Sequence, residues 1–109
     1  MNISSNDSRV YHPLKLDNGL KVLFVQDLQS DKSAASLTVN AGHFDDPWQR
    51  QGLAHFLEHM LFLGTDRHPE PGTLSHFTSQ HGGSCNAWTG TEHSSYFFDI
   101  NNEFFYQGL

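Results

Sequence analysis

The chain has 109 residues, is 37% hydrophobic, and carries 6 Lys and Arg against 12 Asp and Glu, a formal net charge of −6. That length allows one small domain with a modest core, and the scattered basic residues argue against nucleic acid as a partner, since no patch is present to neutralise phosphates. The single cysteine, Cys85, excludes an internal disulfide, and no apolar run approaches the roughly 20 residues that a membrane helix needs.

Residues 1–9 are polar and are expected to form a disordered tail, with 10–109 as the folded part. Residues 10–16 and 20–26 read as two strands of a hairpin. They join at Asp17-Asn18-Gly19, where Asn-Gly accepts the positive φ angles of a tight turn. Residues 33–41 place Ala35, Leu37 and Val39 alternately against small or polar neighbours, which predicts a third strand. A loop follows over 42–50, with a turn at Asp46-Pro47.

A helix is predicted over 52–63, ended by Gly64 as the left-handed residue past its last turn. Residues 65–71 form a loop, and 73–81 a short helix stopped by Gly82-Gly83. Residues 84–89 and 94–100 read as paired strands around Gly90. Strands before and after helices, without strict alternation, predict an α+β domain: a mainly antiparallel mixed sheet with helices on one face.

The helix over 52–63 holds the most informative residues, His55-Phe56-Leu57-Glu58-His59. At about 100° per residue, Glu58 falls near −60° and His59 near +40° from His55. Leu53, Phe56, Leu57, Met60 and Leu61 occupy the opposite arc, so the helix is expected to pack its apolar back into a core. Histidines at i and i+4 bring two ring nitrogens toward one ion. Glu58 flanks the pair, where it could take a proton from a zinc-bound water whose pKa the metal has lowered to roughly 7. The spacing H-x-x-E-H is an inversion of the commoner H-E-x-x-H and is the inverzincin signature. An ordinary polar face with one i, i+3 ion pair is the plainer alternative. The apolar run around the trio disfavours it, because unpaired buried charge is costly and a metal is a ready partner.

Three blocks carry a wider likeness. They are LDNGLKVLFVQD at 16–27, GLAHFLEHMLFLGT at 52–65 and GGSCNAWTGTEHSSYFFDI at 82–100. In this order they resemble the pitrilysin/insulysin family of zinc metallopeptidases, and the likeness runs over nearly all of 11–109. The resemblance implies zinc as cofactor, His55 and His59 as its first two ligands, and Glu58 as general base. It also implies that Asn86, Ala87 and Trp88 lie on an edge strand that pairs with an extended peptide substrate. Without the resemblance, an internal hairpin strand with Trp88 in the core is the preferred reading.

The family's third ligand is a glutamate on a later helix, past residue 109. The chain therefore resembles the N-terminal part of a catalytic domain whose partners are the rest of the parent enzyme. On this expectation the isolated chain is inactive, marginally stable or self-associating, and residues 101–109 are the opening turns of a helix. The alternative is a peptide-binding or scaffold fragment without chemistry. His81, Glu92 and His93 are weighed as substitute ligands. His43, with His12, His68 and His76, is read as a surface or capping residue. No leader with an apolar core precedes the fold, which points to the cytoplasm if Met1 is the natural start. The periplasm follows if a leader was removed.

Overall fold

The computed structural model describes residues 3–109, so part of the expected tail, Met1 and Asn2, lies outside the described residues. The chain divides into two compact units, Met1–Ser30 and Asp31–Leu109. In the first, β1 (Val10–Lys15) pairs antiparallel with β2 (Lys21–Gln26), from Val10 opposite Gln26 to Lys15 opposite Lys21. The strands join at Asp17-Asn18-Gly19, as the sequence predicts, with one difference in backbone angle. Only Gly19 takes a positive φ, +88°, and Asn18 does not. The Gly19 N–H donates to the Leu16 carbonyl at 2.9 Å, and the Asn18 side-chain oxygen accepts from the Leu20 N–H at 3.0 Å. This is a three-residue loop whose last position is left-handed. Ahead of β1, the Asp7 carboxylate accepts from the Arg9 guanidinium and the Tyr11 hydroxyl, both at 2.7 Å.

The second unit is a three-stranded antiparallel sheet in the order β3-β5-β4, built from β3 (Lys32–Val39), β4 (Ser84–Thr89) and β5 (Ser94–Asn101). β5 is central and pairs Ile100 with Ser33 on one side and Phe98 with Cys85 on the other. Period-2 alternation then sorts the side chains. Leu37, Val39, Cys85, Ala87, Thr89, Tyr96, Phe98 and Ile100 share one face. Ser36, Thr38, Ser84, Asn86, Trp88, Ser95, Phe97 and Asp99 share the other.

Three helices, α1 (Leu53–Met60), α2 (Thr73–Gln80) and α3 (Phe105–Gly108), cover the first face. Thr89 bonds Glu58 of α1, and Phe98 packs on Phe105 of α3 with ring centroids 5.8 Å apart. The α+β class, the antiparallel pairing and the one-sided helices all match the expectation. The predicted loop at 42–50 contains a 3₁₀ turn at His43–Asp45, and a second 3₁₀ turn, Asn102–Phe104, leads into α3.

The core is thin. Ile100 is the one fully buried hydrophobic side chain among the described residues, joined by the polar Thr78, Ser94 and Ser95. Thr78 satisfies its hydroxyl internally, donating to the Leu74 carbonyl at 3.0 Å. The orientation of α1 corrects the sequence expectation. Its apolar arc, Leu53, Phe56, Leu57, Met60 and Leu61, is 43–61% exposed, while Glu58 is buried at 8%. The helix lays its carboxylate side on β4, so the apolar stripe is turned away from the sheet.

Candidate metal centre

The site begins with what holds α1 in place. Asp46 lies well ahead of the helix, yet its carboxylate accepts from the N–H groups of Gly52 at 2.7 Å and Ala54 at 2.8 Å. These are free donors of a first helical turn, which a side-chain acceptor satisfies. The Ala54 N–H chiefly, with the Gly52 N–H and nearby His43, holds the Asp46 carboxyl below the usual carboxylate range, although burial pulls the other way.

The segment carrying Asp46 is tied in turn to the β4–β5 turn. The His43 N–H donates to the Gly90 carbonyl and the Phe44 N–H to the Thr91 carbonyl, both at 2.9 Å. Gly42 permits this approach, since a Cβ there would stand 2.4 Å from the Gly90 oxygen. The metal-motif helix and the candidate substrate strand are thus joined through residues 42–46.

On α1 the i, i+4 spacing does what the sequence suggests. His55 and His59 face each other with Nε2 atoms 2.8 Å apart and ring centroids 4.8 Å apart, and both are exposed. Two imidazole nitrogens in a tetrahedral zinc shell stand about 3.3 Å apart, given Zn–N bonds of about 2.0–2.1 Å. A small opening of this pair therefore fits zinc, and the donor chemistry suits it. Glu58 points to the strand: the Thr89 Oγ1 donates to its Oε2 at 2.5 Å. Among the described residues no three His, Cys, Asp or Glu side chains already stand as a metal cage.

β4 is an edge strand, bonded only to β5. The Gly90 N–H bonds the His93 carbonyl, so alternation turns the backbone groups of Trp88 and Asn86 toward β5 and those of Cys85, Ala87 and Thr89 to the open edge. The Ala87 N–H is held there by the Asn86 side-chain oxygen at 2.9 Å. Asn86 and Trp88 project from the sheet face opposite Glu58, and Trp88 meets His93 edge-on at 4.9 Å.

Of the weighed substitute ligands, His81 is engaged by the Phe77 carbonyl at 2.8 Å and by the Phe104 ring at 3.8 Å, and Glu92 is exposed. The contacts of two residues went unnoticed in the sequence. Asp46 caps a helix six to eight residues ahead, where cap rules examine the adjacent position. His43 stacks on His55 at 6.2 Å with planes 16° apart, a contact made by chain folding alone.

The model of the insulinase family of peptidases, M16, matches residues 21–109. The chain is 49% identical to human insulin-degrading enzyme over 100 residues, covering 92% of this chain and 10% of that protein. It is 44% identical over 105 residues to a Caenorhabditis elegans protein named as a zinc protease, covering 96% of this chain and 12% of the relative. The crystal structure of pitrilysin superposes with a TM-score of 0.89 at 39% identity, over 94% of this chain and 11% of that one. The chain thus spans about a tenth of the length of the relatives it matches. It belongs to the insulinase family of peptidases, M16.

Proposed function

We propose that this chain carries the metal-binding and base-bearing part of a zinc-dependent endopeptidase acting on peptides or small proteins. The observation that carries the reading is the pair of Nε2 atoms 2.8 Å apart beside a buried glutamate that is bonded to an edge strand. His55 and His59 are the residues that would hold zinc. When bound, zinc supplies a Lewis acid that acidifies water and polarises a carbonyl.

Glu58 takes the proton of the attacking water and delivers it to the leaving amine. Thr89 occupies one carboxylate oxygen, Oε2, which fixes the carboxylate and leaves Oε1 for the proton transfers. The peptide adds as a further strand beside Asn86, Ala87 and Trp88, pairing with the outward backbone groups of β4. This pairing reads backbone and tolerates many side chains. The family resemblance implies a third ligand, a glutamate, that is not among these 109 residues.

The test is Glu58→Gln in a protein that contains this segment and cleaves a fluorogenic peptide. Cleavage is expected to fall by at least about 10²-fold, the lower end for a general base, with one zinc per chain retained. Normal turnover would remove Glu58 from this role. The open edge of β4 favours a second reading, peptide binding without turnover; peptide capture that ignores both Glu58→Gln and zinc removal would establish it.

A further inference from the structure

Asp46 precedes a proline, which biases it to extended backbone, and its φ of −63° and ψ of 135° comply. The chain then turns back over 47–51, where the Arg50 N–H donates to the Pro47 carbonyl at 2.8 Å. That turn brings the Asp46 carboxylate to the N-terminal end of α1. We infer that Asp46 is a positioning residue for peptide cleavage, holding α1, and with it Glu58, at a fixed offset from the edge strand β4. The inference deepens the proposed function and rests on Glu58 as the base.

Three observations carry it. First, the carboxylate is committed to α1 through both oxygens. Oδ2 accepts from the Gly52 N–H and Oδ1 from the Ala54 N–H, and the side chain is 2% exposed. The His43 Nδ1, at 3.9 Å, is too far away for a hydrogen bond. Ala54 stands one helical turn ahead of Glu58, about 6 Å along the axis. Where Asp46 grips the helix therefore sets where the base lies.

Second, the segment that carries Asp46 is fastened to the hairpin that carries the candidate peptide edge. The His43 and Phe44 N–H groups donate to the carbonyls of Gly90 and Thr91, the residues that follow β4. The Ser94 hydroxyl donates to the Ala41 carbonyl at 2.8 Å. Thr89, the last residue of β4, bonds Glu58. Helix and hairpin are thus joined in a closed circuit, at Thr89 through Glu58 and at Gly90 and Thr91 through Asp46.

Third, apolar packing does not fix this offset. The apolar arc of α1 is 43–61% exposed. Hydrophobic contact is non-directional, whereas charge-assisted hydrogen bonds at two named N–H groups define a position. Without Asp46, the base that must move a proton would also have to tether its own helix to β4.

The experiment compares wild type, Asp46→Asn, Gly42→Ala and Glu58→Gln in a protein that contains this segment and cleaves a fluorogenic peptide. Asparagine keeps the size and one acceptor oxygen, and sets an amide NH₂ against the other backbone N–H. A Cβ at Gly42 would stand 2.4 Å from the Gly90 oxygen, which strains the far end of the segment and leaves the Asp46 bonds in place. Kinetics are measured well below each melting temperature, with zinc content and backbone hydrogen exchange. A misplacement of about 1 Å can cost about 100-fold in rate. Asp46→Asn and Gly42→Ala should each lose at least about tenfold in kcat, with KM within about twofold of wild type. Zinc should be retained, since His55 and His59 share one helix. Exchange in Asp46→Asn should rise at 52–54 while β4 and β5 keep their protection.

A lower melting temperature with unchanged kcat in Asp46→Asn would leave the carboxylate a stabilising cap and overturn the inference. A kcat loss accompanied by a higher KM and faster exchange across β4 and β5 also overturns it, because the fold and not the offset has then changed. Should Asp46→Asn fail to fold, Gly42→Ala decides by the same split: a loss in kcat alone supports the inference, and an unchanged kcat overturns it. Turnover lost in Glu58→Gln and unchanged in Asp46→Asn sinks the positioning role and leaves the base standing. Normal turnover in Glu58→Gln removes the base, and the role of Asp46 in placing it falls too.

Discussion

Glu58 is the residue on which stability and the proposed chemistry meet. It is 8% exposed and accepts a hydrogen bond from Thr89. A buried acceptor deprived of its donor costs about 1–3 kcal/mol, and more for a charged group. Thr89→Val keeps the branched shape and removes only the hydroxyl. It should lower the urea midpoint by an amount equivalent to about that energy and, on the proposed function, lower peptide cleavage by a protein that contains this segment. An unchanged midpoint would show that the Glu58 carboxylate is satisfied without Thr89.

Asp46 carries a pH dependence with a definite sign. Its folded pKa is depressed by the helix N–H groups. Its contribution is therefore complete above the unfolded aspartate value of about 3.9 and is lost as pH falls through the lower folded value. Asp46→Asn should melt at a lower temperature than wild type at pH 7, and the difference should shrink on titration below about pH 4. A gap that stays constant through that window would rule the carboxylate's charge out.

At the scale of elements, β4 carries the proposed peptide-binding edge of the sheet. Ala87 turns its N–H to the open edge, where Asn86 holds it. Proline is tolerated on an edge strand whose N–H faces outward. Ala87→Pro should therefore keep the fold by circular dichroism while raising KM for peptide at least about tenfold, roughly the 1.4 kcal/mol of one backbone hydrogen bond. An unaltered KM would place the substrate off this edge.

The strands and helices were legible in the sequence to within a few residues. α1, for example, ends at Met60 with i→i+3 bonds carrying the turn to Leu63. The hairpin loop at Asp17-Asn18-Gly19 was legible, but the φ of Asn18 was not, because Asn-Gly suits more than one loop and only the pairing of Leu16 with Leu20 decides between them. The motif pair was legible because i, i+4 spacing is local. Asp46 and His43 were not, because their partners are brought to them by the fold.

For the molecule as a whole, exposed apolar surface dominates. Beyond the outward arc of α1, Leu23, Phe24, Phe44, Trp48 and Tyr106 are exposed, against Ile100 as the one fully buried hydrophobe among the described residues. Ordering a residue costs roughly 1–2 kcal/mol of backbone entropy, and so thin a core recovers little of it. The isolated 109-residue chain should bind a hydrophobic dye in native buffer and melt over a broad range. It should also elute larger than its 12.3 kDa mass. A sharp, dye-silent monomer would mean that the apolar stripe of α1 is covered within the chain.

The sequence by itself determined the order of the elements, the α+β class and the pairing of His55 with His59. It also set Glu58 beside them, since all of these follow from spacing along the backbone. Tertiary structure alone decided which side of α1 meets the sheet. A hydrophobic pattern shows that a stripe needs covering and carries no information about where the cover comes from. The strand instead lies against the side bearing Glu58, where the Thr89 hydroxyl bonds the buried carboxylate. Tertiary structure likewise set His43 on His55 and Asp46 beneath α1, contacts that exist only once residues 42–46 are fastened to the β4–β5 turn.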